Sequence, residues 1–93
     1  MLYEPKQISE IEELAKQMTP ISDIAILLSV DENQLKRDIR NVQTDVSKAY
    51  RRGKADVLLR LRKADIELAE NGSPQAGVSI RAYLKKMFED ESV

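Results

Sequence analysis

Apolar residues recur along this chain at spacings of three and four and rarely alternate with polar ones, so the pattern predicts helices. Ile11, Leu14, Ala15 and Met18 form the first stripe. Ser9 and Glu12 stand at capping-box spacing, which sets the expected start of that helix at Ser9. Pro5 opposes an earlier start, and residues 1–8 read as a flexible arm. Thr19-Pro20 ends the first helix and opens the second, with Thr19 as cap and Pro20 at the first helical position. Ile24 and Leu28 then share a face, with small Ala25 beside them where another helix can cross closely. Ser29 and Val30 make a turn, and Asp31 caps a third helix whose inward residues are Leu35 and Ile39.

The pattern weakens from Arg40 to Asp45, where Asn41, Gln43 and Thr44 indicate a kink or short link. Val46, Tyr50, Gly53, Val57, Leu61, Ala64 and Leu68 then sustain one seam over about 25 residues, roughly 37 Å of helix. Leu58, Leu59, Ile66 and Ala69 widen it beyond what so small a domain covers unaided. Asn71-Gly72 stops this helix, and Ser73-Pro74 starts another, with Ser73 capping. Ala76, Ile80, Tyr83, Leu84, Met87 and Phe88 mark the last helix, expected to fold back as an antiparallel hairpin. The acidic tail from Glu89 is expected to fray. The fold expected is all-α: an arm (1–8), a trihelical head (9–44) and a long helix with a C-terminal helix forming an oligomerising hairpin (45–93).

Composition narrows the chemistry. An apolar share of 42% with 33% charged residues suits one small helical domain. There is no cysteine and no histidine. Disulfides, zinc fingers, thiol or imidazole nucleophiles and imidazole acid–base catalysis are therefore excluded. Glu10, Glu12 and Glu13, and Glu89, Asp90 and Glu91, lie on exposed faces or ends without a partnering group, so no catalytic or metal site is expected and no cofactor. Gly53-Lys54 lacks the upstream glycine and the following Ser or Thr of a phosphate loop, and Gly53 is better explained by a close helix crossing. No apolar run approaches the roughly 20 residues of a membrane span, and a cytoplasmic protein without membrane contact is expected.

Net charge is −1, but its distribution is uneven. Residues 31–63 carry ten basic and five acidic groups, while both flanking thirds are net acidic. Asn33, Lys36, Arg37 and Arg40 point away from Leu35 and Ile39 on the third helix. Asn33 and Arg37 suit base edges; Lys36 and Arg40 suit phosphates. Lys48, Arg51, Arg52, Lys54, Arg60, Arg62 and Lys63 add seven positive charges within sixteen residues, against Asp56 alone. This asymmetry predicts a helix-turn-helix reader of double-stranded DNA, with Lys48, Arg51, Arg52 and Lys54 tracking the backbone.

Ile24-Ala25 and Leu28-Ser29-Val30-Asp31 in the head, then Leu35-Lys36-Arg37, Tyr50-Arg51-Arg52-Gly53-Lys54-Ala55, Leu59-Arg60-Leu61-Arg62-Lys63-Ala64 and Asn71-Gly72-Ser73-Pro74 carry a resemblance to phage and prophage small terminase subunits. It spans about residues 9–88. The resemblance implies a non-enzymatic, oligomeric DNA-recognition subunit whose partners are duplex DNA, copies of itself and a large terminase ATPase-nuclease. Ser29 stands where such turns favour glycine, so its backbone must accept a strained or reshaped turn. Asp31 and Glu32 place negative charge where a phosphate-facing end prefers neutrality, although both suit the helix dipole. Two other readings stay open: a transcription regulator of a mobile element, and a helical adaptor that binds no DNA.

Overall fold

The structure, a computed structural model, describes residues 3–91. Five helices follow one another without a strand among the described residues: α1 (Pro5–Lys16), α2 (Ile21–Leu28), α3 (Glu32–Arg40), α4 (Asp45–Glu70) and α5 (Pro74–Glu91). The protein is all-α. None of these helices is long and apolar enough to cross a membrane. The chain forms two compact units that meet within α4, the first ending at Val57 and the second starting at Leu58.

The first unit is held by one apolar cluster to which each of its helices contributes. Ile11 comes from α1, Ile24 and Ala25 from α2, Leu35 and Ile39 from α3, and Val46 and Ala49 from α4. Ile11, Ile24 and Leu35 are fully buried. Each such side chain stabilises by about 1.5–3 kcal/mol relative to exposure, so these three dominate the unit's apolar gain. Gly53 lets α4 approach α1: a Cβ at this position would collide with the Glu12 carbonyl oxygen and lie 2.8 Å from Ala15 Cβ. The expected helix crossing is the reason for this glycine.

Two helix ends in this unit close in the same way. Val30 N–H donates to the Ala25 carbonyl and Ser29 N–H to the Ile26 carbonyl, at 3.0 and 3.2 Å. Thr19 N–H donates to Leu14 and Met18 N–H to Ala15, at 3.1 and 3.0 Å. Both closures require one residue in the left-handed region, and here these are Ser29 (φ 57°) and Met18 (φ 62°). Met18 therefore turns outward instead of completing the α1 stripe, and is 65% exposed.

The N-terminal expectations need correction. Residues 3–8 are not a loose arm: α1 begins at Pro5, Gln7 Oε1 accepts the Glu4 N–H at 2.9 Å, and Tyr3 packs on the core cluster. Proline at the first helical position has no N–H to lose, so Pro5 starts the helix instead of blocking it. Ser9 and Glu12 lie inside α1 and form no capping box at its start. Thr19 is not the α2 cap either; Pro20, with extended backbone, takes that place and its carbonyl accepts from Asp23 and Ile24. The head likewise does not end at residue 44, because Val46, Ala49, Gly53 and Val57 of α4 are buried in the first unit.

At the start of α4, Thr44 Oγ1 accepts the Ser47 N–H at 3.0 Å and donates toward the carbonyls of Asp38 and Asn41. In the second unit, α4 from Leu58 and α5 pair as a hairpin. Ser73 N–H donates to the Leu68 carbonyl across Gly72 (φ 91°), and Ser73 Oγ accepts the Ala76 N–H at 3.3 Å. Tyr83 Oη donates to Asp65 Oδ2 at 2.9 Å, and the Arg62 guanidinium lies 5.9 Å from the Tyr83 ring centroid. The acidic tail continues α5 as far as Glu91, helped by a Lys86–Asp90 ion pair one turn apart. Ala76 is the one described residue of this unit that is buried.

Candidate nucleic-acid interface

Helix α3 presents the candidate residues because of its own periodicity. Leu35 and Ile39 go inward, which leaves Asn33, Lys36, Arg37 and Arg40 together on the opposite face. Asn33, Arg37 and Arg40 are exposed, and Lys36 is half-buried. Asp31 Oδ2 accepts the Gln34 N–H at 2.8 Å, so the acidic start of α3 satisfies a free amide. Glu32 engages one of these candidates: its carboxylate holds Lys36 Nζ at 2.9 Å.

A hydrogen-bonded chain runs beside this face and ends on Arg37. Tyr3 Oη donates to Asp38 Oδ2 at 2.7 Å, and Gln34 Nε2 donates to Asp38 Oδ1 at 3.0 Å. Arg37 Nη2 then donates to Gln34 Oε1 at 2.9 Å. Each group uses a different atom, so the three bonds coexist and restrict the guanidinium before any ligand arrives. Burial, followed by the hydrogen bond to and charge of Asp38, raises the Tyr3 phenol far above its ordinary value, keeping it a neutral donor. Sequence reading passed over Tyr3, Gln34 and Asp38. The i, i+4 relation of Gln34 to Asp38 was available; the 35-residue separation of Tyr3 from Asp38 carries no local signal.

The basic residues of α4 divide between the two units. Lys48 and Arg52, one turn apart, border a shallow groove shared with Ser9 and Glu12 of α1. There Arg52 Nη1 stands 3.6 Å from Glu12 Oε1, which offsets part of its charge. Arg51 and Lys54 are exposed too, and Arg51 stands about one turn from both Lys48 and Lys54, so the four follow one continuous arc of α4. Arg60, Arg62 and Lys63 belong to the second unit, where Arg62 is engaged with Tyr83. The structure therefore keeps the four α3 candidates together and places Lys48, Arg51, Arg52 and Lys54 along one exposed arc of α4.

Among the described residues, no three carboxylates converge as a metal-binding group. What the α3 face offers is hydrogen-bond donors: an amide, an ammonium and two guanidinium groups on one exposed helix. That set matches phosphate oxygens and the acceptor edge of guanine, and has no nucleophile or acid–base pair. No family model, curated protein or solved structure matches this chain.

Proposed function

We propose that this chain is a homo-oligomeric, double-stranded-DNA-binding protein of the kind that small terminase subunits of phages and prophages represent. In this reading α2, the Ser29 turn and α3 act as a helix-turn-helix, and α3 enters a major groove. The observation that carries it is the restrained Arg37 on an exposed face shared with Asn33, Lys36 and Arg40. An arginine held in place by Gln34 loses less side-chain freedom on meeting guanine or phosphate than a free one would. Arg40 and Lys36 take phosphates, and Lys48 and Arg52 supply a secondary backbone contact. A large terminase ATPase-nuclease as partner rests on the resemblance alone.

Fluorescence anisotropy with a labelled duplex of mixed sequence, at rising salt, tests this reading. Binding by several cationic contacts loses affinity steeply between about 50 and 200 mM salt. The combined Arg37→Ala and Arg40→Ala variant is expected to bind at least tenfold more weakly with its helical circular dichroism unchanged. Wild-type protein that ignores duplex DNA at low salt, or a double variant that binds as well as wild type, refutes it.

A further inference from the structure

We propose that a second copy of this chain docks on the exposed flank of α4, the two helices running antiparallel about a two-fold axis beside Lys63 and Ala64. In an antiparallel register centred between Lys63 and Ala64, Arg60 of one copy falls level with Glu67 of the other, and Leu61 falls between Ala64 and Leu68 of the other. No like charges meet. A self-complementary pattern is what a two-fold contact requires, because each residue meets the symmetric counterpart of its own partner.

The hairpin leaves the needed surface open. Arg62 and Asp65 are turned to Tyr83, which identifies the side of α4 that α5 covers. Leu61, Ala64 and Leu68, spaced by three and four, form an adjacent stripe, and the two leucines are 40% and 52% exposed. Arg60 and Glu67, seven residues apart, border that stripe on its far side. When two helices pack antiparallel on such a stripe, residues on the same border face one another. Arg60 of each copy then meets Glu67 of the other, giving two equivalent ion pairs around a leucine-rich centre. The small buried share of the second unit, Ala76 alone among its described residues, is consistent with a hairpin completed by a copy of itself.

This inference specifies the self-association in the reading above and rests on that part of it, while DNA is not needed to test it. Sedimentation velocity of the full-length protein without DNA compares wild type, Arg60→Glu, Glu67→Lys, the double variant carrying both, and an equimolar mixture of the two single variants. Each single variant places like charges opposite one another and is expected to dissociate at least tenfold more readily. The double variant and the mixture both restore opposite charges and regain the wild-type mass. Rescue by mixing excludes misfolding as the cause. An oligomer whose mass neither substitution changes, or single variants that stay dissociated when mixed, overturns this arrangement alone. A monomeric wild type at its highest soluble concentration overturns self-association as well, and leaves the DNA contact of α3 to be judged by anisotropy.

Discussion

Tyr3 reaches across 35 residues to donate a 2.7 Å hydrogen bond to Asp38, tying the chain before α1 to the outer side of α3. The bond is half-buried and its acceptor is charged. Tyr3→Phe keeps the ring and deletes the donor, so it is expected to destabilise the protein by about 1–2 kcal/mol. The urea midpoint measures this.

The same pair predicts an alkaline signature. The folded-state pKa of Tyr3 is raised above its unfolded value, so the fold favours the neutral phenol. Its contribution to stability is fully present below pH 10 and is lost as pH rises beyond that, because the unfolded chain ionises first. Stability is therefore expected to fall more steeply above pH 10 in the wild type than in Tyr3→Phe. Urea titrations of both proteins at pH 8 and pH 10.5 give the comparison. Equal losses would remove Tyr3 as the origin.

Gly53 and Gly77 occupy helices and predict opposite responses to the same substitution. A Cβ at Gly53 meets the α1 backbone at Glu12 and the side chain of Ala15, whereas one at Gly77 meets nothing within 4 Å. Alanine in a helix interior ordinarily gains about 0.5–1 kcal/mol over glycine. Gly77→Ala is expected to realise that gain. Gly53→Ala is expected to lose about 2 kcal/mol or more, since a backbone oxygen cannot rotate away as a side chain can. Thermal unfolding of the two variants should shift in opposite directions.

These residues also show what could be read without coordinates. Leu35 and Ile39 announced the inner face of α3 by spacing alone, and Asn33, Lys36, Arg37 and Arg40 followed because one helix fixes all four. The close crossing at Gly53 was legible as well, since a glycine inside a strong helix needs a steric reason. Pro5 misled because a proline marks either a barrier or a first helical position, and only the hydrogen bonding around Glu4 and Gln7 distinguishes them. Periodicity carried the seam on to Leu68 but could not say where burial stops, because that depends on what packs against it. Lys48, Arg51, Arg52 and Lys54 were legible as one exposed arc because a single helix carries them, whereas the Arg52–Glu12 ion pair was not, because it joins two helices.

Ser29 and Met18 hold left-handed backbone at the ends of α2 and α1 without the advantage of glycine. Ser29→Gly and Met18→Gly are each expected to stabilise by about 1 kcal/mol, because a residue with a Cβ costs about 1–2 kcal/mol in that region while glycine gives back some unfolded-state entropy. Ser29→Val is expected to destabilise, since branching at Cβ resists this conformation. Denaturant midpoints decide the order. If Ser29→Gly lowered stability, the serine side chain would be contributing something that the hydrogen bonds of the turn do not account for.

Glu32 holds Lys36 on the face proposed to meet DNA, and its own charge would oppose phosphate there. The ion pair is partly exposed, so its loss costs the fold about 0–1 kcal/mol. Glu32→Gln keeps the size of the side chain, removes the repulsion and releases the ammonium. Duplex binding at low salt is expected to tighten several-fold. If Lys36 then reaches a phosphate, the dependence of log affinity on log salt steepens by about one. Lys36→Ala in the Glu32→Gln background should abolish that extra slope. An unchanged affinity in Glu32→Gln would place this end of α3 away from the duplex, and Arg37 and Arg40 would then have to bind from the C-terminal half of the helix.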